Sequence, residues 1–295
     1  MMTMGILMIT KFWPALFGLC TLVTVGVALA DTAETKPAET AFLADVKAGQ
    51  PMRMEYQIKA SAWVLILPIT GKANFTVDLK PANYVIKSKV KTTGLADILV
   101  NYDMDLVATG YTSPDGLSTY AYASQNNDGK KNRRVDVKYH ADSFDMKAVP
   151  RFGNLGDPAA TTTQVLDAKD PLSALISFAL EPRAPGADPC GGPLKIFDGR
   201  QLTHLHLENK GLTTVKADAY KGEAYECHIT MDKVAGYKEG EANKDTLTGI
   251  EGPLRLWVAP LPNGASVPVK IVADTEDIGK VTLQVSKLSF TPLEE

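Results

Sequence analysis

The sequence predicts a mainly β protein: one large, strongly curved antiparallel sheet, a half-barrel or β-spiral, packed around two short helices. Three observations predict it. Apolar and polar residues alternate strictly over many short runs, the mark of strands with one dry and one wet face. Tight-turn clusters separate the runs: Pro114-Asp115-Gly116, Asn127-Asp128-Gly129, Asp198-Gly199 and Pro262-Asn263-Gly264. Only two segments change to helical spacing, and both are short.

The elements follow in chain order. Met52, Met54, Tyr56 and Ile58 alternate with Arg53, Glu55, Gln57 and Lys59 as a first strand. The stretch AWVLILPI, Ala62 to Ile69, has no polar side chain. It reads as a strand buried on both faces and ended by Pro68, or as a lip that touches lipid or an acylated partner. Phe75, Val77 and Leu79 alternate with Thr76, Asp78 and Lys80; Tyr84, Ile86 and Ser88 oppose Val85, Lys87 and Lys89. Leu95, Ile98, Leu99 and Tyr102 have helical spacing and predict the first helix. Val135, Val137 and Tyr139 return to alternation.

Asp170-Pro171 opens the second helix, with an Asp cap and Pro at the first helical position. Leu172, Leu175, Ile176 and Ala179 then form one apolar stripe, and Pro182 ends it. Helices this short are marginal alone, so both must lie on the apolar face of the sheet. Leu194 to Glu208 reads as a hairpin turning at Asp198-Gly199, where Gly takes positive φ and Asp tolerates it. Val267, Val269 and Ile271 lead through Asp277-Ile278-Gly279 to Val281, Leu283 and Val285, the closing strands.

The ends bound location. Lys11 precedes an uncharged apolar run from Phe12 to Leu29, and Ala28-Leu29-Ala30 supplies small residues for cleavage. Residues 1–30 therefore read as a secretory signal, the alternative being an uncleaved anchor, since the run approaches the ~20 residues that span a bilayer. Leu19 is too large for a lipobox before Cys20, so Cys20 leaves with the signal. Residues 31–49 are polar and Pro-containing and read as a flexible leader; residues 50–295 form one β-rich periplasmic domain. No second apolar run spans a membrane. The net charge of −3 becomes slightly more negative without Lys11. That argues against nucleic acid, which needs a basic face.

Chemistry-bearing residues are few. Cys190 and Cys227 remain after cleavage, and an even count in an oxidising compartment predicts a disulfide. A Cys227-His228 nucleophile pair is disfavoured, because adjacent strand residues point to opposite faces. Arg200 follows the turn and could pair with Asp198, with an acid across the sheet, or with an anion. His204 and His206 share a strand face with Cα atoms about 7 Å apart. An H-x-H pair can ligate zinc, yet a third ligand is needed and no H-E-x-x-H or similar pattern supplies one; His140, His228, Glu208 and Asp218 are the candidates. No nucleophile elbow, P-loop or dinucleotide fingerprint occurs, and nothing selects a carboxylate pair of the glycosidase kind. No cofactor is implied.

DPLSALISFAL (Asp170 to Leu180), Cys190, KIFDGRQLTHLHL (Lys195 to Leu207), YEC ending at Cys227, VAGYK (Val234 to Lys238), LRLWVAP and SVPVKI (Ser266 to Ile271) occur in that order. The chain resembles the secreted proteobacterial family of domain of unknown function 3108, in its alphaproteobacterial branch. There an FDGR hairpin, here Phe197, Asp198, Gly199 and Arg200, sits between two cysteines, and a GY follows the second. The likeness is specific from about Asp170 to Leu283 and looser over Met52 to Tyr139, where TTGLADIL and RRVDVKY fit a helix and a strand. Gln201-Leu202 departs from the Arg and Tyr-like residues such a hairpin carries next. The resemblance implies a periplasmic β protein without assigned activity, shaped like the curved, helix-filled sheets of lipoprotein carriers, and carries over no catalytic residue.

The expected function is non-enzymatic: an envelope protein binding lipid, lipoprotein or an amphipathic peptide. Trp63, Leu65, Leu95, Leu99, Leu172 and Ile176 would line an apolar groove for it. The alternatives are a metal-assisted envelope hydrolase using His204 and His206, and a purely structural or partner-docking protein.

Overall fold

A computed structural model describes residues 51–64, 67–94, 101–113, 116–129, 132–238, 250–261, 264–275 and 279–293. The expected signal and leader lie outside the described residues, which all belong to one compact unit, 35–295. Among the described residues no helix is long and apolar enough to cross a membrane.

The first seven strands are β1 (Met52–Val64), β2 (Leu67–Leu79), β3 (Tyr84–Thr93), β4 (Asp103–Ser113), β5 (Gly116–Asn126), β6 (Arg134–Tyr139) and β7 (Phe144–Val149). Two helices follow, α1 (Thr162–Leu166) and α2 (Pro171–Leu180). The chain returns to strand with β8 (Leu194–Phe197), β9 (Leu202–Ala217), β10 (Tyr220–Ala235), β11 (Ile250–Pro260), β12 (Ser266–Thr275) and β13 (Gly279–Pro292). All thirteen form one antiparallel sheet, in the order β7-β6-β5-β4-β3-β2-β1-β13-β12-β11-β10-β9-β8.

That order describes two meanders joined at the middle. β1 to β7 step outward in one direction and β13 back to β8 in the other, and the β1–β13 ladder joins them. The chain must therefore pass from one edge of the sheet to the other between β7 and β8. The crossing segment carries both helices, and α2 packs against β3, β4 and β5 of one arm and β8 and β12 of the other. The sheet curves around it, as the alternation and the helix stripe predict.

Alternation decides the faces. Met52, Met54 and Tyr56 of β1 are buried, as are Val77 and Leu79 of β2 and Tyr84 and Ile86 of β3. The intervening positions face water and pair across strands: Arg53 forks onto Asp78 at 2.6 and 2.8 Å, and Glu55 meets Lys287. α2 spends its stripe on the core, with Leu172 4% and Ile176 0% exposed. Burying each such side chain stabilises by roughly 1.5–3 kcal/mol.

One expectation changes, one falls outside the described residues, and one element was not expected. AWVLILPI is not one strand ended by Pro68. β1 and β2 pair up to Val64↔Leu67, with Trp63↔Pro68 inside the ladder, so the run is a hairpin whose two sides are both apolar. The helix expected at Leu95, Ile98 and Leu99 lies outside the described residues, while its last member, Tyr102, stands exposed just before β4. α1 was not expected. Its five residues are too few to show a period, but Thr161 and Gln164 cap each other reciprocally and Val165 is fully buried.

Candidate functional site

The family-like motifs meet where the two sheet edges approach. Asp198 Oδ1 accepts hydrogen bonds from the backbone N–H of Arg200 (2.8 Å) and of Gln201 (2.7 Å), which makes the hairpin turn between β8 and β9. Burial pushes the Asp198 carboxyl upward, and those two N–H groups and the Arg200 charge oppose the shift. Gly199 has φ +98°, and a Cβ there would lie 2.4 Å from Val135 Cγ1. Only glycine lets the turn press onto β6 in the opposite arm. Beside it the Phe197 ring meets Phe144 of β7 edge-on, with centroids 5.8 Å apart.

The Gly-Tyr after Cys227 completes the fastening. Gly236 has φ +84°, and a Cβ there would sit 1.9 Å from the Arg200 carbonyl oxygen. The backbone of the crossing segment binds here twice: Asp157 N–H donates to Tyr237 O (3.0 Å) and Gly236 N–H to Pro158 O (2.9 Å). The hydroxyls of Thr203 and Tyr237 hydrogen-bond to each other. FDGR and AGY are thus two halves of one clasp, with the crossing segment held between them.

Among the described residues the Arg200 side chain hydrogen-bonds neither Asp198 nor another acid. Its Nη2 donates to Asn154 Oδ1 (3.0 Å), and its guanidinium lies 5.7 Å from the Phe152 ring centre. Arg133 lies over the same ring at 4.4 Å. The edge strands on either side are treated differently. β8 is capped by Lys169, which donates to Lys195 O (3.0 Å) and accepts from Phe197 N–H (2.9 Å). β7 pairs with β6 alone in the sheet. A cleft of about 640 Å³ runs along it, lined by Met146, Lys147, Ala148, Val149, Arg151, Phe152 and Leu155.

Cys190 and Cys227 form the disulfide, with Cα atoms 5.8 Å apart. Both are fully buried in a small cluster with Phe178, Leu256 and Val258. The bond ties the crossing segment to β10, and it removes the Cys227-His228 nucleophile reading, His228 being paired with Glu226 (2.8 Å). His204 and His206 stand on β9 but do not converge with a third ligand. His206 is held by Asp232 (2.6 Å), while His204 is pushed toward its neutral form by burial and then by Lys195. Among the described residues no group of three His, Cys, Asp or Glu could hold a metal ion.

Of the six residues expected to line an apolar groove, two are described with their surroundings. Leu172 and Ile176 are closed core side chains, so they cannot wall an open channel. Trp63 lies in β1 next to the hairpin end; Leu65, Leu95 and Leu99 lie outside the described residues. A different interior feature went unforeseen. Tyr84, Tyr122 and Tyr139 point inward toward buried Asp170, with Tyr84 Oη and Ser173 Oγ 2.7 Å apart. Asp170 Oδ1 caps α2 by accepting from Leu172 N–H (2.9 Å) and Ser173 N–H (3.0 Å), while its Oδ2 meets no donor within hydrogen-bond geometry among the described residues. The signal was available: tyrosines occupy inward positions of three alternating strands.

A model of the protein family of unknown function DUF3108 matches residues 54–286. The chain belongs to the DUF3108 family. Among solved structures it is similar to a "beta-barrel-like protein" of domain of unknown function DUF1849 from Brucella abortus. The identity is 12% and the TM-score 0.45, over 83% of this chain and 98% of that one. It is also similar to a DUF1329 family protein from Desulfovibrio piger, at 9% identity and a TM-score of 0.28, over 84% and 88%. No curated protein matches.

Proposed function

We propose that this DUF3108 chain is a non-enzymatic protein of the cell envelope that works in the periplasm as a binding scaffold. The Cys190–Cys227 disulfide carries the reading, because such a bond persists in an oxidising compartment and is rare in the cytosol. The signal-like residues 1–30 support the same address. The hydrolase alternative draws less support, since His206 is committed to Asp232 and no third ligand joins the two strand histidines among the described residues. Fractionation with thiol alkylation tests it. The protein is expected in the periplasmic fraction and resistant to alkylation until reduced. A cytoplasmic protein with two reactive thiols overturns the reading.

The ligand that fits this scaffold is an acyl chain of a lipid or lipoprotein, held outside the filled core. Between β10 and β11 a cleft of about 350 Å³ is lined by Leu205, Ile229, Met231, Ile250 and Leu254, with Glu208, His228 and Thr230 as its polar side chains. The size is at the lower end for small-ligand sites, about 300–1,000 Å³. A fluorescent fatty acid should bind and should be lost in Leu254→Glu. No uptake by the native chain sinks the acyl assignment and leaves the compartment test standing.

A further inference from the structure

We propose that the free edge of β7 is a docking site for an extended, acidic polypeptide segment, which adds to the sheet as one more antiparallel or parallel strand. This rests on the β7 cleft and is separate from the acyl assignment.

The backbone comes first. β7 ends the sheet and pairs residue by residue with β6, from Arg134↔Val149 to Tyr139↔Phe144. In such a pair alternate residues direct their N–H and C=O away from the partner. Among the described residues no other backbone group hydrogen-bonds Phe144–Val149. At the opposite end of the same sheet, Lys169 covers β8 through two backbone hydrogen bonds. An uncovered edge is a template for strand addition, and proteins that leave one open in this way use it or blunt it.

The side chains decide what fits. The chain folds back after β7, so that Arg151, Phe152 and Leu155 line the cleft together with Met146, Ala148 and Val149. Val149 is 55% and Leu155 46% exposed, which offers apolar contact to alternate side chains of an incoming strand. Lys147 and Arg151 supply charge, and among the described residues no carboxylate lines the cleft. Arg133 and Arg200 flank Phe152 at the same place. A cationic patch on a chain of net charge −3 selects for the opposite sign in its partner. A lone edge lysine would only blunt the strand against self-association; an apolar cleft with several cations beside it recognises something.

The test uses the purified protein and three synthetic peptides of the same length. One alternates valine and glutamate, one valine and lysine, and one is the glutamate peptide N-methylated at alternate amides. The glutamate peptide is expected to bind with strong salt dependence and to slow amide hydrogen exchange in Phe144–Val149. The Lys147→Glu/Arg151→Glu variant should weaken it by about tenfold or more, with thermal unfolding unchanged because both residues are exposed. N-methylation should weaken it similarly, since it removes the ladder donors. No binding of the glutamate peptide, equal binding of the lysine peptide, or undiminished binding of the N-methylated peptide overturns the proposal.

Discussion

The two arms of the sheet are built by different means. From β2 to β7 the strands pair in nearly unbroken register, with a single shift at Thr109/Gly110, and their wet face carries cross-strand ion pairs. From β8 to β12 the register slips at Glu226/Cys227, Lys233/Ala235, Glu251/Arg255 and Trp257/Val258. That second arm also holds the disulfide, FDGR and AGY. Where alternation alone can specify the pairing, surface residues have latitude. Where the ladder is irregular, particular atoms must fix it, and the recognisable motifs gather there.

Five substitutions, one of them a control, probe the contrast. The largest effect is expected from Gly236→Val in the second arm, which adds positive-φ strain to a Cβ lying 1.9 Å from Arg200 O. Roughly 3–5 kcal/mol should be lost in denaturant unfolding. The matched control, Gly129→Ala in the first arm, meets nothing within 4 Å and should cost about 1–2 kcal/mol. Equal losses would remove the distinction between the arms. Cys190→Ala comes next. The bond closes a separation of 37 residues, and opening it should lower stability by about 4 kcal/mol in the chain-entropy view. A reduced native protein should match the variant.

Asp170→Asn sharpens the comparison at the core that both arms share. Burial raises the Asp170 carboxyl, against the capping N–H groups that lower it. A carboxyl raised on folding contributes stability fully below its unfolded value, and that contribution is lost as pH rises through the folded one. The asparagine keeps an oxygen for the cap and has no charge to bury. Its stability relative to the native chain should therefore improve as pH rises out of the carboxylate range, as read from unfolding midpoints across pH. A constant difference would contradict it. The smallest effect belongs to Arg53→Ala, which removes the partly exposed fork onto Asp78 on the wet face. Exposed pairs gain little over their hydration, so the melting temperature should hardly move.

What was legible follows the same division. Met54 and Tyr56 against Arg53 and Glu55 announce their faces, and Asp170-Pro171 with its apolar stripe announces α2. The cysteine count pointed to the bond that the structure contains. A period says nothing about partners, so the β1–β13 joint was invisible. AWVLILPI concealed a hairpin because both sides of its tip are apolar. Gly199 could be read as a turn residue, but not as one seated on Val135 across the seam. The β7 cleft depends on chain that folds back from Arg151 to Leu155, and no local pattern encodes that return.

The central joint also has a consequence in time. β1 has β2 as its neighbour almost at once, but its other side waits for β13, the last of the described strands in chain order. Pairing across such a sequence separation is slow, because loop closure must precede the contacts that reward it. On a chain emerging from its N-terminus, the first meander can zip together strand by strand while its starting edge stays bare. Until the C-terminal strand arrives, that edge is the one a chaperone has most reason to guard.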